Sequence, residues 1–142
     1  MNDRIARILF AYIDGFMSMF SGLFFLLSPA AGLQNLVTPA LAADIAGSPA
    51  SMLLVRSFGQ LVFGYGLIEF LVVRAGERRV TRLLLLALIV SDLIHIAVYV
   101  PFMVANDVWA PGAVFGLVYE VVMATARTAY LVLPARSVGR TR

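Results

Sequence analysis

An aspartate and a histidine three residues apart, Asp92-Leu-Ile-His95, stand inside a stretch that is otherwise apolar. At i, i+3 on a helix they share a face. A carboxylate beside an imidazole makes a group that takes or gives a proton near neutral pH. Glu120, in another apolar stretch, is a second carboxylic acid able to oppose the first. Arg56 can stabilise a developing oxyanion. Asp92, His95, Glu120 and Arg56 are therefore read as the catalytic set, with Gln60, Tyr99, Phe63 and Met123 contacting substrate. Such groups suit water addition to an epoxide, epoxide-opening cyclisation, or double-bond isomerisation. None of these reactions needs a cofactor, and the chain carries no Gly-rich nucleotide loop. Cysteine is absent and His95 is the single histidine, so no metal site is expected.

The elements that must carry these residues are membrane helices. Of 142 residues, 61% are hydrophobic and 13% charged, and the mean hydropathy is +0.92. A soluble domain is nearer half apolar and a quarter charged. Four apolar segments account for the difference: Ile5–Leu27, Met52–Val73, Leu83–Val104 and Gly112–Leu133. Each is long enough, at ~1.5 Å per residue, to cross a ~30 Å hydrocarbon core. The fold expected is all-α, one four-helix transmembrane bundle over residues 1–142. The connection from Ala30 to Ala50 is long for a bundle and moderately apolar, which suggests a short interfacial helix. The third helix should bend or end near Pro101. Asp14 and the length of the first apolar run argue against a cleaved signal peptide.

Arginine reports the topology. Arg4 and Arg7 stand at the start of the first segment, Arg74, Arg78, Arg79 and Arg82 separate the second from the third, and Arg136, Arg140 and Arg142 follow the fourth. The other two connections hold none, so both termini are expected in the cytoplasm, as in a bacterial inner (cytoplasmic) membrane. The arginines are not massed on one exposed segment, and no nucleic acid is implied. A lipophilic small molecule and membrane lipid are the expected partners.

Beyond the first turn of each apolar segment stand seven charge-bearing side chains: Asp14, Arg56, Glu69, Asp92, His95, Glu120 and Arg127. A charge at mid-bilayer costs at least ~2.5–3.5 kcal/mol, so each should face a partner or a wet cavity. Counting from the helix ends places His95, Gln60 and Glu120 about 13 Å below the outer boundary, Asp92 a turn deeper and Arg56 about a turn shallower. Asp14 and Arg127 fall together about 20–24 Å down and are read as a structural ion pair. Arg56–Glu120 is a second such pairing. Glu69, nearest the inner boundary, is read as snorkelling or meeting Arg74. Tyr65, Tyr119 and Tyr130 are assigned to packing. Gly59, Gly64 and Gly66, and the stripe Gly112-xxx-Gly116, let helices approach closely, within one chain or in a homodimer.

Gly22…Pro29, Arg56-Ser-Phe-Gly59, Phe63-Gly64-Tyr-Gly66-Leu and the arginine-bounded third helix from Arg82 resemble the DoxX-like group of small four-helix membrane proteins. The resemblance covers the first two thirds of the chain and implies a fold. Asp92-x-x-His95 and Glu120 lie outside its pattern. In size and acid–base content the chain is also similar to small membrane hydrolases and cyclases of natural-product pathways, by analogy alone. The function expected is therefore a cofactor-independent hydrolase, cyclase or isomerase. Its rivals are a proton-coupled small-molecule transporter and a non-catalytic DoxX-like accessory subunit.

Overall fold

In the computed structural model the described residues, 3–106 and 108–133, are helical with short connections. Four helices are long and apolar enough to cross a membrane. We label them α1 (Arg4–Leu27), α4 (Pro49–Ala75), α5 (Arg78–Asn106) and α6 (Pro111–Val132). The connection after α1 holds two short helices, α2 (Pro29–Leu36) and α3 (Pro39–Ala46). Arg136, Arg140 and Arg142 lie outside the described residues.

Local chemistry sets the boundaries. Pro29, Pro39, Pro49 and Pro111 each occupy the first turn of a helix, where a missing N–H leaves no bond unmade. Thr38 and Ser48 cap α3 and α4, their hydroxyl oxygens accepting from Leu41 N and Ser51 N. Gly76, at φ 76°, ends α4 in the left-handed region that glycine tolerates. Within α1, Arg7–Gly15 adopts π-helical hydrogen bonding, a form that recurs at functional sites. α5 runs through Pro101 and ends five residues beyond it, at Asn106.

α1 and α4 form the tightest seam, through glycines seven residues apart on each helix. Gly22 faces Gly59 and Phe63, and Gly15 faces Gly66 and Phe70. A Cβ on Gly59 would stand 2.7 Å from the Gly22 carbonyl oxygen, and one on Gly66 2.6 Å from Met19 N. No larger residue fits without parting the backbones. The seam therefore fixes which face of α4 turns inward: Gly59, Gly66, Glu69 and Val73 are buried on it. Phe10, Val73, Leu85, Leu88, Met123 and Tyr130 pack into one apolar cluster, with the Phe10 and Tyr130 rings edge-on at 5.9 Å. Outward, large apolar side chains are widely exposed, Phe20 at 67% and Val98 at 67% among them. In water such a surface would aggregate; in a bilayer it is the solvated face.

Gly22→Ala is expected to lower stability by about 1–3 kcal/mol or more, the range for overpacking a closed interface. Gly116→Ala, whose Cβ would meet nothing within 4 Å, should leave it unchanged. Thermal unfolding of both variants in detergent checks this; equal melting temperatures would remove the glycine seam from the account.

Candidate functional site

Arg127 is the hub of the bundle interior. It stands on α6, 4% exposed. Its Nη2 donates to Asp14 Oδ2 on α1 and its Nη1 to Asp92 Oδ2 on α5. Glu69 Oε1 on α4 lies 3.6 Å from Nη2, in ion-pair range but beyond a hydrogen bond. Asp14 accepts a further bond from the Tyr119 hydroxyl at 3.0 Å. One guanidinium thus ties all four long helices through three carboxyl groups. Arginine suits this role because its planar fork carries five donors at fixed angles. Its Nε remains without a hydrogen-bond partner, as does Glu69 Oε1.

The second polar group lies nearer the α5–α6 connection than the first. His95 Nδ1 and Glu120 Oε1 are 2.5 Å apart, joining α5 to α6. The bond commits Nδ1 to the carboxylate and leaves Nε2 as the free ring nitrogen. The Tyr99 ring lies beside the imidazole, tilted by 41° with 5.1 Å between centroids.

Both groups open on one cavity of about 460 Å³, lined from all four long helices and from α2. Volumes of this size are usual for small-molecule sites. Asp14, Asp92, Arg127 and Tyr119 line its inner part, and His95, Tyr99 and Glu120 its wall. The rest is mostly apolar, with Met17, Phe25, Leu36, Phe58, Val62 and Phe115, and includes the hydroxyl residues Ser18 and Ser21. Gly116 contributes space, and α2, packed through Gly32 on Phe25 and through Asn35 on Gly112, supplies Leu36.

Of the residues read from the sequence as catalytic or substrate-contacting, Asp92, His95, Glu120, Tyr99 and Met123 line this cavity. Arg56, Gln60 and Phe63 do not. Arg56 and Gln60 are exposed on the outer face of α4, and Phe63 meets Gly22 through its backbone. The physical reason is the glycine seam, which turns that face of α4 away from the interior; Phe58 and Val62 take its place in the lining. Arg56 therefore forms no pair with Glu120, which is bonded to His95. Asp14 and Arg127 do pair, but Asp92 binds the same guanidinium, so ion pair and candidate acid form one network. The carboxylate that orients His95 is Glu120, not Asp92. Glu69 neither snorkels nor meets Arg74: it is 2% exposed and faces Arg127, while Arg74 stacks over the Phe70 ring.

Two residues gain roles that the sequence reading withheld. Tyr119 holds Asp14, and Glu69 completes the ring around Arg127. The signal for Tyr119 was its spacing, since Tyr119, Met123 and Arg127 follow one another at four-residue steps along α6. No set of three metal-ligating side chains is arranged to hold an ion among the described residues. Where three carboxyl groups converge, the guanidinium already supplies the cation. Comparison with protein-family models, curated proteins and solved structures finds no match to this chain.

Proposed function

We propose that the protein is an integral membrane enzyme that applies acid–base chemistry to a lipophilic small molecule. Epoxide hydrolysis or epoxide-opening cyclisation leads, followed by double-bond isomerisation. The observation that carries this reading is the 2.5 Å His95–Glu120 bond on the wall of a largely apolar cavity whose inner part is Arg127 and its carboxyl partners. Glu120 holds the imidazole in the tautomer that presents Nε2 as a base. In hydrolysis, Nε2 takes a proton from water as the water oxygen attacks an epoxide carbon. The carbon–oxygen bond on that carbon breaks, and its electron pair stays on the leaving oxygen. The Tyr99 hydroxyl, on the same wall, gives that oxygen its proton and recovers one from His95, so the product is a diol and the enzyme is unchanged. A hydroxyl of the substrate in place of water gives the cyclic ether. Arg127, neutralised by its carboxyl partners, holds the inner part of the cavity rigid beside the reacting groups. The testing experiment is product formation by purified protein supplied with lipophilic epoxides, with His95→Gln as the inactive comparison.

A proton-coupled transporter is the second reading, favoured by the buried Asp14–Arg127–Asp92–Glu69 network, a form met in membrane proton relays. The exposure of Arg56 and Gln60 favours the third, a DoxX-like accessory subunit.

We place Arg4, Arg7 and the connection from Arg74 to Arg82 on the cytoplasmic side of a bacterial inner membrane, with residues 108–110 outside. A reporter that is active only in the cytoplasm should work when fused after Gly76 and fail when fused after Val108. The reverse pattern would invert the topology.

A further inference from the structure

α4 carries two exposed stripes side by side. Leu54, Leu61 and Ile68 form one, apolar throughout and suited to lipid. The other is Leu53, Gln60, Leu67 and Leu71, with the half-buried Gly64 among them, so that it is polar and small at its centre. Gln60 lies two residues from Val62, the midpoint of the 27-residue helix, and roughly 17 Å from its first residue. A carboxamide at that depth is too short to reach water or headgroups. It makes no hydrogen bond to any described residue, although buried polar groups in a membrane find partners. Four residues on, a Cβ on Gly64 would meet nothing within 4 Å, so another backbone can approach there.

We propose that this stripe docks a second copy of the chain, α4 against α4 about a two-fold axis along the membrane normal. The partner is identified by symmetry. Two copies inserted with the same topology hold α4 parallel, so each residue of the stripe meets its own counterpart at the same depth. Glutamine is among the few side chains that complement themselves there, because the amide is both donor and acceptor. Glycine opposite glycine lets the helices close until those amides meet. Arg56 would repel its own copy, and it stands about 40° around the helix from Gln60, on the flank of the stripe rather than along its centre.

The inference stands apart from the catalytic reading, and so does its test, because the chain has no cysteine. Single cysteines at Leu53, Gly64 and Leu67, and at Leu54, Leu61 and Ile68, are oxidised with copper–phenanthroline in native membranes. Disulfide-linked dimers are expected at the first three positions and not at the second three. Adding Gln60→Leu to the Leu67→Cys variant should weaken association roughly three- to tenfold, the range for one interhelical polar contact. Cross-linking that is equal on both stripes, confined to the second, or absent from both overturns the proposal. So does undiminished cross-linking with Gln60→Leu.

Discussion

Arg127→Met is expected to destabilise the protein by on the order of 3–5 kcal/mol, the usual consequence of deleting one partner of a buried ion pair. Methionine keeps much of the length and removes every donor. Asp14 would then keep only its bond from Tyr119, and Asp92 and Glu69 would face each other and Asp14 with no cation between them. The same reasoning gives a second arm. Neutralising the carboxyl groups together, as Asp14→Asn, Glu69→Gln and Asp92→Asn in the Arg127→Met background, removes the uncompensated charges and should recover part of the loss. Thermal unfolding in detergent, with folded yield from size-exclusion profiles, measures both. A single Arg127→Met variant as stable as the parent would show that the guanidinium does not hold the four helices.

Glu120→Gln is expected to keep the fold and reduce turnover about 10²–10⁴-fold, the range for losing acid–base function at one position. Glutamine preserves the shape beside His95 and can still accept a hydrogen bond, but it does not stabilise an imidazolium. His95→Gln should lose as much, and the double variant little more, because the two residues act as one unit. Asp92→Asn should behave differently. Asp92 is tied to Arg127, so its loss should appear first as lower stability and only secondarily as lower turnover. Specific activity normalised to folded protein separates these cases.

The long helices and their number were legible in the sequence because length and hydropathy report them directly. Rotation about each helix axis was not. His95 and Glu120 were rightly placed at one level, as their bond shows, whereas Gln60, grouped with them, faces outward. Depth follows from counting along one helix, whereas facing depends on which partner packs closest. The information was present in a form left unused. Gly15 and Gly22 are seven apart, and so are Gly59 and Gly66. Matching the two pairs antiparallel sets the α1–α4 seam, puts Glu69 beside it and turns Gln60 away. The merging of Asp92 with the Asp14–Arg127 pair was harder to see. It depends on the reach of an arginine side chain, which spans the turn of depth that had separated them. His95–Glu120 joins two helices 25 residues apart in sequence, and only tertiary packing decides which carboxylate the imidazole meets.

The most direct test of the central claim is oxygen-isotope incorporation by the purified protein in liposomes. Wild type is supplied with a panel of lipophilic epoxides in ¹⁸O-water and the products are analysed by mass spectrometry. A diol carrying one heavy oxygen, formed by wild type and lost in folded Glu120→Gln and His95→Gln, is the result expected for hydrolysis; an unlabelled cyclic ether with the same variant dependence is that expected for cyclisation. Product formed equally by wild type and both variants, or no product from wild type alongside proton-gradient-driven efflux of the same compounds, would contradict it.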